Sequence, residues 1–183
     1  MASDITRHLG TASILIVAAA TLWVLVRTPV TKGVSLSEHI GREHTTFMVF
    51  AIASTVSAVC MVLFLWGWLI PQLQLPPAFQ AVAALIIAGQ LGVGWGRFIP
   101  DPGKWDAHSY CAYGMAFLMP LMLSFLLFAN LTPSAKTLIG FAVLWMVGTL
   151  CLLFVPNIRR FYLPFQAGFM ICFCMSVMAA AYL

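Results

Sequence analysis

Six long apolar runs, separated by short polar connections, divide the chain. They cover Leu9–Val26, Phe47–Ile70, Ala78–Gly96, Ala107–Ala129, Thr137–Val155 and Phe161–Leu183. Each is close to the ~20 apolar residues that a helix needs to cross a bilayer. No Asp, Glu, Lys, Arg or His lies near the middle of any run. The pattern predicts an all-α, polytopic membrane protein: one membrane domain over residues 1–183, built as a six-transmembrane-helix bundle. Pro71, Pro76 and Pro77 bracket the second connection, and Asp101-Pro102-Gly103 predicts a turn in the third. Pro133 and Pro156 mark the end of the fourth run and of the fifth. Within the first connection, Ser35-Leu36-Ser37-Glu38 fits a capping box, so a short interfacial helix is expected there. Tyr162, Trp66 and Trp68 fall where interfacial aromatic belts form.

Composition narrows the class further. Of the 183 residues, 62% are hydrophobic and only 8% charged, and the mean hydropathy is +1.00. Fourteen acidic and basic residues cannot cover the surface of a soluble domain, where about 25% of residues are charged. A soluble globular fold, a disordered chain, a coiled coil and a nucleic-acid-binding domain are thereby excluded. The net charge of +4 bears on orientation instead. Arg27, Lys32, Arg42, Arg97, Lys104, Arg159 and Arg160 occupy the odd-numbered connections, against Arg7 and Lys136 on the other side. By the positive-inside rule this places the odd connections in the cytoplasm and both termini outside. Ala18-Ala19-Ala20 resembles a signal-peptide cleavage site, but Arg7 is offset by Asp4 upstream, so the first run is read as a retained helix. The five cysteines, Cys60, Cys111, Cys151, Cys172 and Cys174, lie in apolar stretches without a CxxC pair and read as small buried hydrophobes.

Ala84, Ala88, Gly92 and Gly96 recur every four residues along the third run. Such a ridge lets a neighbouring backbone approach closely, within the monomer or, as the alternative, in a homodimer. Gln90 and Gln166 are expected to bond to a neighbouring helix or a trapped water. A translocation path is the alternative reading for both.

The reactive side chains are unevenly spread. Glu38, His39, Glu43, His44, Asp101, Asp106 and His108 all belong to the first and third connections or the adjoining helix starts. Odd connections share one membrane face, so these seven form the candidate binding pocket. Each carboxylate also has a structural role available. Glu38 completes the capping box, Asp106 suits an N-cap, Glu43 suits the positive end of the second span, and Asp101 suits the turn. His39, His44 and His108 are the metal-ligand candidates, because three imidazoles with nearby carboxylates have the chemistry of a zinc or iron site. Asp101 or Glu38 would then be the general base for a metal-bound water. His44 and His108 alone would suit a bis-imidazole haem, a weaker reading because helical haem ligands usually lie deeper. HExxH, GxSxG, an intramembrane lysine and a Gly-rich phosphate loop are absent from the sequence.

Three short stretches resemble the domain of unknown function 998 family of small six-span prokaryotic membrane proteins. Ser37-Glu38-His39-Ile40-Gly41 is similar to its Ile-Ser-Glu-Leu-Gly, and Phe98-Ile99-Pro100-Asp101 with His108 to its Phe-Pro-x-Asp and following histidine. Leu163-Pro164-Phe165-Gln166 is similar to its Leu-Leu-Gln-Arg, with Ala167 where arginine is expected. Ile99 also separates Phe98 from Pro100, and Pro100 directly precedes Asp101. The resemblance implies a six-span fold in a prokaryotic inner (plasma) membrane and no established activity.

The functional expectation is a non-enzymatic bundle that binds membrane lipids or supports a membrane-protein partner, with a polar site at its cytoplasmic face. One alternative is a membrane-embedded hydrolase, metal-dependent or not, acting on a lipid head group. The other is a haem or quinone redox protein. In all three, His108, Asp101 and at least one of His39, His44, Glu38 and Glu43 are expected to line one pocket, screened by Trp95, Trp105 and Phe98.

Overall fold

The computed structural model describes residues 2–28, 35–96, 107–152, 155 and 161–183. Seven helices are found among them: α1 (Ala2–Arg27), α2 (Leu36–Ile40), α3 (His44–Leu73), α4 (Pro77–Trp95), α5 (Ala107–Leu126), α6 (Pro133–Leu152) and α7 (Tyr162–Tyr182). All but α2 are long and apolar enough to cross a membrane.

The short connections force antiparallel neighbours. α3, α4, α5, α6 and α7 each pack on the next, and α1 lies against both α3 and α7, so six helices form a closed ring. The inner faces build one core from Phe64, Leu65 and Leu69 of α3, Phe79 of α4, Leu123 and Leu126 of α5, Ile139 and Met146 of α6, and Val177 of α7. Large apolar side chains such as Leu22, Phe117, Phe128, Phe141 and Leu144 point outward. That distribution suits a hydrocarbon solvent, in which outward apolar residues cost nothing.

Several helix boundaries depart from the sequence reading, each for a local reason. Pro71 was expected to end the second span, but α3 continues to Leu73. A π-helical turn over Leu65–Leu69 precedes the proline, and the Ile70 amide reaches back to the Leu65 carbonyl. Such a turn widens the helix where a proline ring would press on the preceding turn. The helix stops instead at Gln74, whose left-handed backbone (φ 50°, ψ 46°) turns the chain toward Pro76 and Pro77. Pro133 opens α6 and does not mark the end of α5, which stops earlier at Leu126. Proline is tolerated at a first helical position, and the Thr132 hydroxyl accepts from the Ala135 amide at 3.3 Å.

The interior polar residues tie spans together. Buried Ser13 of α1 donates to the Ser57 carbonyl of α3 at 2.9 Å, and the two hydroxyls are 2.8 Å apart. The Gln90 amide of α4 donates to the Ser57 hydroxyl and the Ser54 carbonyl, both at 3.2 Å. Gln90 thus bonds to a neighbouring helix, as its position in an apolar run implied.

The small-residue ridge is used only in part. A side chain at Gly92 would collide with Cys111 Sγ of α5, and one at Gly96 would come 3.0 Å from His108 Cβ. Gly89, off the ridge, lies equally close to Met115 of α5, whereas Ala84 and Ala88 face outward. The ridge drifts round α4 because 3.6 residues per turn do not match a repeat of four.

Candidate functional site

The polar face is organised by α2. Ser35, extended at φ −75° and ψ 162°, caps it: its hydroxyl accepts from the Glu38 amide at 3.3 Å. Glu38 Oε2 accepts from the Ser35 amide at 2.5 Å and from the Ser35 hydroxyl at 2.8 Å. The expected capping box is therefore formed, and it occupies the Glu38 carboxylate. A second clamp comes from the last span. Gln166 Oε1 accepts from the Leu36 amide at 3.0 Å, satisfying another of the unpaired donors at the start of α2. On the other side, buried Thr46 donates to the carbonyls of Ile40 and Glu43, each at 2.8 Å, and fastens α2 to the start of α3. Glu43 is the N-cap of α3 by backbone position, but its side chain makes no capping bond; the Thr46 hydroxyl donates to its carbonyl.

This clamping brings α2 to a small cleft. Its walls are Ser37, Ile40 and Gly41 from α2, Phe47 and Phe50 from α3, Val93 and Gly96 from the end of α4, and His108 from the start of α5. Gly96 lets α5 approach closely, and His108 Nδ1 lies 3.0 Å from the Val93 carbonyl. The cleft is mostly apolar, with one hydroxyl, one imidazole and the backbone of a turn in its lining, and it has room for about one water-sized group.

The sequence candidates fall into four groups. His108 is buried and lines the cleft. Glu38 is exposed and engaged in its capping box, while Glu43 and His44 are exposed at the start of α3. His39 is fully buried, and neither ring nitrogen has a hydrogen-bond partner among the described residues. Burial pushes its pKa down, helped by the Arg42 cation and opposed by Glu38. Asp101 and Asp106 lie outside the described residues, as do Phe98 and Trp105. α2 and His108 are thus brought together through Ser37, Ile40 and Gly41, and the cleft is not lined by Glu38, His39, Glu43 or His44. Among the described residues, no group of three or more His, Cys, Asp or Glu side chains is arranged to hold a metal ion. Trp95 turns away from the cleft and donates to the Thr55 hydroxyl at 2.8 Å.

Sequence reasoning missed Ser37, Gly41 and Val93 as site residues, since serine, glycine and valine carry no signal at a membrane edge. The clamp by Gln166 did have one: a lone amide near a helix start, facing the connection that holds α2.

Six apolar spans in one all-helical bundle make the chain a multi-pass membrane protein. No protein-family model, curated protein or solved structure matches it.

Proposed function

We propose that the protein is a non-enzymatic membrane bundle whose α2 face receives the polar head of a membrane lipid. The carrying observation is how α2 is held. Its carboxylate, its hydroxyl and its first amide are committed to capping, and the surface left to the cleft is a serine, a glycine turn and apolar walls beside His108. Such a surface recognises one small polar group next to apolar chains, and it suits a lipid at the boundary of the hydrocarbon. Glu38 is a poor general base in this setting, because a base must be free to take a proton from a substrate within hydrogen-bond reach.

Seven basic residues against two support a cytoplasmic α2 face with both termini outside. The three motifs around α2, Asp101 and Gln166 support kinship with the domain of unknown function 998 family, and through it a prokaryotic inner membrane. The non-enzymatic reading is tested with the purified protein in vesicles of phosphatidylglycerol and phosphatidylethanolamine, with zinc or iron supplied. No head-group release is expected. Release that disappears in Glu38→Gln would replace this reading with the hydrolase.

A further inference from the structure

The end of the bundle opposite α2 carries a second polar cluster. The π-helical turn of α3 creates it: Gly67 faces Thr6 of α1, leaving only 3.3 Å between a built Cβ and the threonine methyl. One turn earlier in α3, Phe64 lies flat against Gly10. This close approach of α1 and α3 sets Arg7 beside Trp68, with its guanidinium carbon 5.5 Å from the ring centre. From the other side, Tyr182 of α7 brings its ring to 4.0 Å. The Tyr182 hydroxyl is itself held, 3.0 Å from His8 Nδ1 and 3.0 Å from the Thr11 hydroxyl.

Two aromatic neighbours therefore steady the guanidinium by cation–π attraction, and its N–H groups remain its means of hydrogen bonding. One of these, Nε, is covered by the bundle and has no hydrogen-bond partner among the described residues, so the terminal Nη groups are the donors left for a ligand. The position along the helix adds a second constraint. The 26 residues of α1 span about 39 Å at 1.5 Å per residue, against a hydrocarbon core of about 30 Å. Each end then overhangs by about 4–5 Å, so the Arg7 Cα, about 7.5 Å into the helix, lies about 3 Å inside the hydrocarbon, and its long side chain, leaning toward the helix N-terminus, carries the guanidinium to the hydrocarbon edge beneath the lipid phosphates. A planar fork of donors, oriented by aromatic rings at that depth, matches two oxygens of one phosphate.

We infer that Arg7, steadied by Trp68 and Tyr182, binds the phosphate of an anionic lipid head group at the face opposite α2. His8 and Thr11 act by holding the Tyr182 ring, and Asp4, one turn toward water and exposed, disfavours a second anion beside the first. The site is independent of the α2 cleft, so either assignment stands if the other fails.

The test is thermal unfolding of the full chain in neutral detergent. Phosphatidylglycerol, phosphatidylcholine and inorganic phosphate are added separately at matched phosphate concentration. Phosphatidylglycerol should raise the unfolding temperature of the wild type, and to a smaller extent that of Tyr182→Phe, which keeps the ring but loses the hydroxyl held by His8 and Thr11. Arg7→Gln should need at least tenfold more of the lipid for the same shift, and Gly114→Ala, which lies in neither site and whose added carbon meets nothing within 4 Å, should respond like the wild type. Arg7→Lys keeps the charge but not the fork and should lose most of the response; it reads the same property if Arg7→Gln does not fold. An unchanged response in Arg7→Gln or Arg7→Lys overturns the proposal. An equal shift with inorganic phosphate assigns the site to free phosphate and overturns the lipid assignment.

Discussion

Replacing Gly92 by alanine places one methyl group at the tightest point of the α4–α5 seam. The new Cβ would collide with Cys111 Sγ and come 3.2 Å from Cys111 Cβ. Rotation of the Cys111 side chain can move the sulfur but not its Cβ, which would stay 3.2 Å from the new carbon. Overpacking of this kind costs about 1–3 kcal/mol. Alanine is also a better helix former than glycine by about 1 kcal/mol, so the net loss is about 0–2 kcal/mol. At about 2–4 °C per kcal/mol for a chain of this length, Gly92→Ala should lower the unfolding temperature by up to about 8 °C. Gly92→Leu should lower it further. The decisive comparison is a double-mutant cycle. In a Cys111→Ala background the sulfur is gone, and Gly92→Ala should become neutral or stabilising, a coupling of about 1–2 kcal/mol. Gly114→Ala is the control, since nothing lies within 4 Å of the added carbon; it should cost nothing. Detergent-solubilised protein followed by circular dichroism suffices. Equal effects of Gly92→Ala with and without Cys111 would refute the steric argument and remove this seam from the account.

Further outcomes follow from other parts of the molecule. The buried imidazole of His39 has a folded-state pKa below its ordinary 6.5, so the unfolded chain binds the extra proton first. Stability should therefore be full above pH 6.5 and fall as the pH drops from there toward the lowered folded value, a slope that pH-dependent melting should lose in His39→Leu. Because both ring nitrogens lack partners, His39→Leu should also be neutral or stabilising at pH 7.5, which a melting curve checks directly. Ser57→Ala removes the hydroxyl shared by Ser13 and Gln90 and should cost about 0.6–1.7 kcal/mol, the range for hydrogen bonds between membrane helices. Gln74→Gly should stabilise by up to about 1 kcal/mol, as glycine adopts the left-handed turn without strain; a lower melting temperature would contradict that.

The spans were legible in the sequence because length and hydropathy alone decide whether a helix crosses a bilayer. The capping box was legible because Ser35 and Glu38 satisfy each other locally, three residues apart. The passage of α3 through Pro71 was not, since it depends on a π-helical turn that no residue pattern announces. The ridge was half legible. Its four-residue spacing marked Gly92 and Gly96, but the helical drift that turns Ala84 and Ala88 outward depends on where α5 sits. For the site, grouping by connection placed α2 and His108 on one face. It did not distinguish Ser37 and Gly41 from Glu38 and His39, because one turn of helix separates a wall of the cleft from its back. The cluster around Arg7 joins three helices distant in sequence, and Arg7 alone gave no sign of Trp68 or Tyr182.

The central claim is that the α2 face beside His108 receives one small polar group of a lipid head, the rest of the head group lying outside the cleft. Native mass spectrometry of the protein released from mild detergent reads it directly, as the number and class of lipids retained. The wild type should keep at least one lipid through detergent exchange. Ser37→Leu, which puts a bulky side chain on the wall of the cleft while leaving the Ser35–Glu38 capping box in place, should lose one lipid and keep its fold. Identical lipid retention by the wild type and a folded Ser37→Leu variant would contradict the account.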